Sequence, residues 1–273
     1  MKPFLPLLLL AQLSAAEFPV ARYGAKRDGK TVDTAAIQAA IDAAAKSKGT
    51  VVLAPGTYLT GALFLKSGIE FRVDAGVEIR GSQDIATYPI MPTRIAGIEM
   101  EWPAALINIY QQSGVKLTGK GTIDGDGSVF WDKYWKMRRE EYEPKGLRWA
   151  VDYDCRRPRL IQVFQSTGVK LEGLTLKRAG FWTVHICYSR DVTADGLVIR
   201  NNIGGRGPST DGVDVDSSSD VLVKVWHRGW WFYIAASDGQ SKSAFRFLQT
   251  LINMRLVEAA PATTPTLTIP VGK

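Results

Sequence analysis

A chain of 273 residues is long enough for one large domain or two small ones. Its hydrophobic share of 45% and charged share of 22% are ordinary for a soluble globular protein. The formal net charge of +7 favours acidic partners, which include nucleic acid, anionic lipid and acidic polysaccharide. The cations are scattered and form no basic arm or lysine-rich helix, so we expect neither a nucleic-acid partner nor a membrane partner.

The amino terminus has the composition of a secretory signal peptide. Met1-Lys2 is positively charged, Phe4 to Leu13 is a short apolar run, and Ser14-Ala15-Ala16 offers the small residues that a signal peptidase recognises. The run is too short to cross a bilayer as a stable helix, and the alternative is a buried first helix. We therefore predict a signal peptide at residues 1–16, cleavage after Ala16, and a secreted protein, extracellular or periplasmic.

The first elements of the mature chain are a helix and two strands. Asp28-Gly29 marks a turn, and either Asp33 or Thr34 can cap a helix that extends to Ala45 and is ended by Gly49. The apolar face of this helix consists of Ile37, Ala40, Ile41 and Ala44. Strands are predicted at Thr50–Leu53 and Thr57–Leu59, on either side of an Ala-Pro-Gly turn.

A short phrase then recurs, in which a polar turn is followed by alternating apolar residues. Its copies lie at residues 67–73, 113–119, 166–173, 189–196 and 218–223. The later copies are separated by the length of one rung of a solenoid, and one rung buries its apolar side only when it is stacked on others. We predict an all-β fold, a right-handed parallel β-helix whose first rung is covered by the short N-terminal helix. The alternative is a β-sandwich, and no further helix is expected for over a hundred residues.

The repeated phrase stops at Lys224. Residues 17–223 are therefore assigned to the β-helix domain, and residues 224–273 to an atypical C-terminal tail. This tail contains Trp226, Trp230 and Trp231, a predicted helix from Ser243 to Leu256, and a Pro/Thr-rich end. The tryptophans are either a sugar-stacking platform or part of a poorly specified terminus, including one read in a shifted frame. We favour the second interpretation.

The densest acidic phrase, residues 209–219, offers candidate catalytic groups. Period-two alternation places Asp214 and Asp216 on one face of a strand, while Asp211 precedes a predicted kink at Gly212. Hydrolysis of a glycosidic bond needs one carboxylic acid to protonate the leaving oxygen and a second carboxylate to activate water or attack the sugar. The alternatives are a solvated polar turn and a Ca²⁺ cluster, although no recognisable calcium-loop spacing is present.

Two cysteines, Cys155 and Cys187, complete the inventory of reactive side chains. An exported chain could pair them, and a buried free thiol is the other interpretation. No Cys-x-x-Cys motif or Cys/His cluster indicates zinc, so no metal or cofactor is expected.

The chain resembles the polygalacturonase-type family 28 glycoside hydrolases over roughly residues 18 to 223. The resemblance is carried by residues 23–25, 50–58, 121–127 with Trp131, 157–161, 181–185 and 209–214. The Trp-x-x-His phrase ending at His185, followed by Thr-Asp-Gly-x-Asp at residues 210–214, is the most specific part of it. The early segments are shared with other β-helix proteins.

The resemblance implies an inverting hydrolase of galacturonate-containing, acidic plant-type polysaccharide that acts as a monomer without a cofactor. It assigns a catalytic role in activating water to Asp211, and it makes Asp214 and His185 candidates for substrate binding. The His185 side chain is better explained as a packed or hydrogen-bonded strand residue than as a general base. Asp124 belongs to a family-typical phrase and is expected to stabilise a turn.

Two departures from the family pattern matter. Ser209 stands where asparagine is usual, and the Asp-Asp pair, the Gly-His-Gly and the Arg-x-Lys expected after Asp211 do not occur. We therefore expect little or no hydrolysis by this polypeptide. The rival hypotheses are a Ca²⁺-dependent β-helix of the pectate-lyase type, to which Asp214 and Asp216 would contribute, and a non-catalytic polysaccharide-binding β-helix.

Overall fold

The computed structural model describes residues 15–147, 150–227 and 230–235. Almost all of the predicted signal peptide and the predicted helix from Ser243 to Leu256 lie outside these residues. None of the helices in the described part of the chain is long and apolar enough to cross a membrane.

Three sheets run side by side along the molecule, and successive strands pass from one sheet to the next. Sheet 1 consists of β1 (Glu17–Pro19), β3 (Thr50–Val52), β6 (Glu70–Arg72), β11 (Lys116–Thr118), β14 (Thr167–Glu172), β17 (Arg190–Asp195), β20 (Ser219–His227) and β21 (Trp230–Ala235). Sheet 2 consists of β2 (Asp28–Val32), β4 (Gly56–Thr60), β7 (Val77–Gly81), β12 (Thr122–Asp124), β15 (Thr175–Lys177) and β18 (Val198–Arg200). Sheet 3 consists of β5 (Leu63–Phe64), β10 (Ile107–Tyr110), β13 (Ile161–Phe164), β16 (Val184–Cys187) and β19 (Val213–Asp216).

The remaining elements are a hairpin and several helical segments. The hairpin is formed by β8 (Ile90–Ile95) and β9 (Ile98–Pro103). The α-helices are α1 (Thr34–Ala45), α2 (Ser128–Met137) and α3 (Val151–Asp154). A π-helical turn covers Arg138–Tyr142, and 3-10 turns cover Val20–Tyr23, Ile85–Thr87, Glu143–Lys145 and Ile203–Gly205.

The five copies of the recurring phrase form β6, β11, β14, β17 and β20 of sheet 1, which confirms the predicted right-handed parallel β-helix. Phe71, Leu117, Leu171 and Ala194 lie in register on consecutive strands, and all four are buried. Burying a large apolar side chain is worth about 1.5–3 kcal/mol, so one continuous column of such residues stabilises the whole stack. A β-sandwich is excluded, because every strand pair in the three sheets is parallel except β20 with β21.

The turn that begins each phrase requires a left-handed backbone conformation. Gly68, Gly114 and Gly168 have φ of 78°, 64° and 64°, and Asp191 and Asp220 occupy the same position in the later copies with φ of 55° and 53°. Glycine adopts this conformation freely, and aspartate is among the few other residues that tolerate it. The same left-handed backbone conformation therefore explains why glycine stands at this position in the first three copies and aspartate in the last two.

Helix α1 covers the first rung, as predicted. Its buried residues are Ile37, Ala40, Ile41 and Ala44, and the helix contacts β1, β3 and β5. Asp33, however, does not cap the helix with its side chain. Its buried carboxylate instead accepts hydrogen bonds from the backbone N–H groups of Lys26 (2.7 Å) and Arg27 (2.9 Å), which ties the preceding loop to the helix.

Replacing Asp33 with alanine is expected to destabilise the protein by about 1–3 kcal/mol, because two backbone N–H groups lose their acceptor. Urea unfolding followed by circular dichroism measures this change. Asp42→Ala is the matched control, because Asp42 lies on the exposed side of the same helix and accepts only from Gln38. Equal effects of the two substitutions would contradict the proposed tie.

The expectation of no further helix is wrong. A helical insertion lies between β12 and β13; it begins with α2, ends with α3, and is described over residues 128–147 and 150–154. Phe130, Trp131 and Tyr134 of α2 are buried at helical spacing, which is a signal that the sequence does contain. The β8–β9 hairpin is a second departure from the simple solenoid.

The C-terminal end of the described chain also differs from a simple end of the stack. Strand β20 continues past Val223 to His227, and β21 pairs with it in antiparallel fashion. Strand β20 thus crosses the predicted domain boundary between residues 223 and 224 without a break, and its parallel pairing with β17 extends to Lys224. Residues 236–273, the rest of the predicted C-terminal tail, lie outside the described residues.

Candidate active site

The outer face of sheet 3 carries a row of polar side chains. Asn108, Gln162, His185 and Asp214 lie in register on β10, β13, β16 and β19. The intervening positions carry aliphatic residues, as period-two alternation requires; those of β10, β13 and β16 are buried in the solenoid, whereas Val215 on the last described strand is 40% exposed. Asp214 and Asp216 therefore share the outer face, as the sequence predicted, and β19 is the last strand of the sheet among the described residues.

Asp211 lies two residues before β19, at the rim of this face. The residue is exposed, and its backbone carbonyl accepts a hydrogen bond from the N–H of Thr183 (3.0 Å). Desolvation by the surrounding protein raises the pKa of the Asp211 carboxyl group, and the negative charge of Asp152 raises it further. The positive charge of Arg157 lowers this pKa and so opposes the change. A carboxyl group whose pKa is raised accepts a proton more readily than an ordinary aspartate does.

Asp214 has a more strongly shifted carboxyl group. Burial, followed by the negative charge of Asp211, raises its pKa to about 7, while Arg159 acts in the opposite direction. Its Oδ2 atom is buried and has no hydrogen-bond partner among the described residues. Two neighbouring acidic side chains with unequal, raised pKa values are typical of sites that transfer protons.

The Asp214 shift predicts a dependence of stability on pH. The unfolded chain releases this proton near pH 3.9 and the folded chain near pH 7, so the folded state binds more protons between these values. The free energy of unfolding of the wild type should therefore fall, relative to that of Asp214→Asn, as the pH rises from about 4 to about 7, and the difference should stay constant above it. Urea unfolding of both proteins across this range measures the effect, and a constant difference throughout would contradict the shift.

His185 is fully buried and hydrogen-bonded to a buried arginine. Nη1 of Arg159 lies 2.7 Å from Nδ1 of His185, and Arg159 is itself only 1% exposed. Burial, with a further contribution from the Arg159 charge, holds the pKa of His185 well below its usual value, so the ring is neutral. Because a guanidinium can only donate, Nδ1 is the acceptor and the ring proton is on Nε2. In this structure the His185 ring has no surface with which to touch a sugar.

Arg159 is a site residue that the sequence did not reveal. Burial lowers its pKa to about 9, although the charges of Cys187 and Asp214 oppose this change. Its Nε and Nη2 atoms have no partner among the described residues. The Arg-Pro-Arg motif at residues 157–159 was recognised, but arginine is rarely fully buried and no local pattern indicates that both arginines are.

One group of side chains has the composition of a metal site. Donor atoms of His185, Cys187 and Asp216 lie within 4.8 Å of one another. The Arg159 guanidinium, however, donates to Nδ1 of His185, which leaves the proton on Nε2, and Nε of Arg94 lies 3.3 Å from Oδ2 of Asp216. Neither nitrogen of His185 then has a free lone pair to bind a metal. The positive charges of Arg159 and Arg94 already lie beside this group, so these residues do not fit a metal ion.

Both cysteines are buried free thiols. Cys155 packs beside Tyr134 and Val151 of the helical insertion, whereas Cys187 lies on the outer face of β16. Burial raises the pKa of both thiols, that of Cys187 to about 12. Both are therefore protonated at neutral pH and unreactive as nucleophiles.

The β8–β9 hairpin borders this face, whereas Asp124 lies on a different sheet. Thr93 Oγ1 of β8 accepts hydrogen bonds from Arg159 (3.0 Å) and Gln162 (2.8 Å), so the hairpin covers part of sheet 3. Asp124 lies in sheet 2, where its buried carboxylate is hydrogen-bonded to Arg178 at 2.8 Å and accepts from the N–H of Asp126. These contacts are those of a turn-stabilising residue, the role expected for Asp124.

Comparison with known proteins places this geometry in a family. The model of "Glycosyl hydrolases family 28" matches residues 45–226, which is more than half of the chain. A "Probable polygalacturonase" of Vitis vinifera is 29% identical over 212 residues, which cover 74% of this chain and 40% of that protein. An "Exo-poly-alpha-D-galacturonosidase" of Dickeya chrysanthemi is 36% identical over 116 residues, or 40% of this chain and 19% of that protein.

The solved structures agree. The family 28 exopolygalacturonase of Yersinia enterocolitica superposes with a TM-score of 0.64 at 25% identity, over 77% of this chain and 42% of that one. The exopolygalacturonase of Thermotoga maritima has a TM-score of 0.62 at 23% identity and shows the same fold. The chain thus spans less than half the length of the relatives named here, except for the Thermotoga structure, of which it covers 55%. From the match over residues 45–226 and the shared solenoid, the chain belongs to glycosyl hydrolase family 28.

Proposed function

We propose that this chain carries part of the active site of a hydrolase that cleaves galacturonate-containing, pectic polysaccharide by the inverting mechanism of the polygalacturonase type. In this mechanism one carboxylate activates water on one side of the sugar and a carboxylic acid protonates the leaving oxygen on the other. The observation that supports it best is the pair Asp211 and Asp214, which lie at the rim and on the outer face of the last described strand of sheet 3 with raised pKa values. The net charge of +7 suits a polyanionic substrate.

We assign the activation of water to Asp211, because it is exposed and its pKa is raised. Asp214 is assigned to substrate binding, because its half-buried side chain lies on the outer face of the last described strand of sheet 3, close to Asp211 in the chain. His185, the other predicted substrate-binding residue, takes part indirectly. It is enclosed on the neighbouring strand in register with Asp214 and holds Arg159 in place behind it.

The proposal includes export and a monomeric state. A pectic polymer is too large to enter a cell, so a hydrolase that meets it must be secreted, in agreement with the composition of residues 1–16. Expression in a secreting host followed by N-terminal sequencing tests this assignment, with Glu17 expected as the first residue. An intact Met1 on protein recovered from the medium would count against it.

The activity is tested with two polypeptides. One is the chain itself; the other, called the extended hybrid, joins residues 1–223 to the downstream rungs of a family 28 relative that carry the Asp-Asp, Gly-His-Gly and Arg-x-Lys motifs. The hybrid is expected to release reducing ends from polygalacturonate, and the chain itself to do so about 10²–10⁴-fold more slowly, because it lacks the general acid. Equal rates from the hybrid and the unextended chain would refute that expectation.

The reaction products separate the proposal from its rivals. A hydrolase releases saturated ends, whereas a lyase leaves unsaturated ends that absorb ultraviolet light. Calcium-dependent formation of unsaturated products would favour the lyase hypothesis. Retained affinity for polygalacturonate with no turnover by the extended hybrid would favour a binding protein.

A further inference from the structure

We propose that Asp152, in the helical insertion, is a positioning residue that holds the Asp211 loop in place through Arg157 and Ser209. This inference rests on the proposed function in so far as Asp211 is catalytic, but the contacts that carry it are independent of that role. Neither Asp152 nor the insertion was singled out by the sequence.

The first contact is a buried ion pair. Nη2 of Arg157 lies 2.6 Å from Oδ1 of Asp152, and the Arg157 side chain is fully buried. Its guanidinium packs against the rings of Tyr134 and Phe181, with the Cζ atom 4.5 Å and 4.6 Å from the two centroids. A buried guanidinium that packs against two aromatic rings and is paired with a carboxylate has little freedom to move.

The same guanidinium also holds the loop that carries Asp211. Nη1 of Arg157 donates to the carbonyl oxygen of Pro208 at 2.8 Å, three residues before Asp211. Asp211 itself is held by the N–H of Thr183, which donates to its carbonyl oxygen at 3.0 Å. Between them, the Asn201 side chain donates to the carbonyl of Thr210 at 3.1 Å. The backbone of this loop is thus bonded at successive points.

The second contact explains how serine replaces the usual asparagine. Ser209 has φ of 51°, a left-handed conformation that asparagine tolerates better than serine does. Its hydroxyl donates to Oδ1 of Asp152 at 2.7 Å, the same oxygen that pairs with Arg157. A hydrogen bond to a charged acceptor offsets the cost of the backbone conformation.

Asp152 is therefore connected to the Asp211 loop both through Arg157 and through Ser209. Its negative charge also affects the Asp211 carboxyl group. Its carboxylate raises the pKa of Asp211, after the larger effect of desolvation. A group that both fixes the backbone and adjusts the proton affinity of a neighbour would serve the reaction without touching the substrate. This arrangement assigns a purpose to the helical insertion, which the solenoid itself does not need.

The test is carried out on the full chain, whose carboxyl groups can be followed by ¹³C NMR after labelling of aspartate. Asp152→Asn is expected to lower the pKa of Asp211, because a nearby negative charge is removed while the oxygen of the introduced amide can still accept from Arg157. The matched control is Asp154→Asn, an exposed position two residues away that is bonded to Tyr142 and not to the loop. It should leave the titration of Asp211 unchanged.

A second variant tests the backbone contact without disturbing the ion pair. Ser209→Gly keeps the left-handed conformation but removes the hydroxyl, so exchange of the Thr183 amide proton should become faster by on the order of tenfold. Ser209→Asn, which tolerates the left-handed conformation and offers an amide N–H to Asp152, should restore slow exchange. An unchanged Asp211 pKa in folded Asp152→Asn, or unchanged Thr183 exchange in Ser209→Gly, would overturn the inference.

These readouts do not depend on turnover. Should Asp211→Asn leave the extended hybrid active, the catalytic proposal fails while the positioning contacts are still judged by NMR. Conversely, if the hybrid is active but the pKa of Asp211 is the same with and without Asp152→Asn, only the positioning role of Asp152 is refuted.

Discussion

Replacing Asp211 with asparagine in the extended hybrid is expected to lower kcat about 10²–10⁴-fold, with a much smaller change in KM. The amide that replaces the carboxylate has nearly the same shape but cannot take a proton from water. The substitution should therefore leave sugar binding almost intact and remove the activation of the nucleophile. Release of reducing ends from polygalacturonate over a range of concentrations measures both parameters.

Asp220→Asn is the control for this experiment. Asp220 is exposed at the turn that begins β20, and asparagine tolerates its left-handed φ of 53°. It changes the same net charge within the same acidic region, so it accounts for any general loss of attraction to the polymer. If the kcat of both Asp211→Asn and Asp220→Asn stayed within a factor of about three of that of the unsubstituted hybrid, the catalytic role of Asp211 would be refuted.

Replacing Arg157 with alanine is expected to destabilise the chain by about 3–5 kcal/mol. The substitution leaves the Asp152 carboxylate without its buried partner, removes the donor to the Pro208 carbonyl, and removes the packing of the guanidinium against Tyr134 and Phe181. Each of these losses occurs where water replaces the lost contact poorly. Urea unfolding monitored by tryptophan fluorescence and circular dichroism measures the effect.

Arg72→Ala provides the comparison for that value. Arg72 pairs with Glu17 and Asp74 at the surface, where its side chain is 35% exposed, so its removal should cost about 0–1 kcal/mol. Similar losses for the two arginines would show that Arg157 is no more than an ordinary ion-pairing residue. Loss of helical signal before the strand signal in Arg157→Ala would further indicate that the insertion is released first.

The solenoid itself could be predicted because its rules are local. The repeated phrase contains both signals that a strand of sheet 1 needs. A residue with a left-handed backbone conformation forms the turn, and the alternating apolar positions of the strand follow within a few residues. The amphipathic pattern of α1 and its covering of the first rung were predictable for the same reason. In the acidic phrase, alternation placed Asp214 and Asp216 on one face correctly.

The insertion and the hairpin were missed for different reasons. The helical spacing of Phe130, Trp131 and Tyr134 was present but lay beside a strong strand repeat, which dominated the interpretation. The hairpin turns at Ala96 and Gly97, which have φ of 46° and 89°, and its two strands are antiparallel in an otherwise largely parallel protein. Neither segment is required by the repeat, so the repeat does not predict them.

By itself, the sequence determined the stack, the outward face of β19 and the identity of the acidic residues, because period-two alternation and turn chemistry act between near neighbours in the chain. Only the tertiary structure decided that Arg157 and Arg159 are buried, that Arg159 donates to the ring of His185, and that Asp152 meets Ser209 across 57 positions of sequence. Burial and long-range charge depend on which segments come to lie over a face. That is settled by the packing of the insertion and hairpin against the solenoid, which no local pattern records.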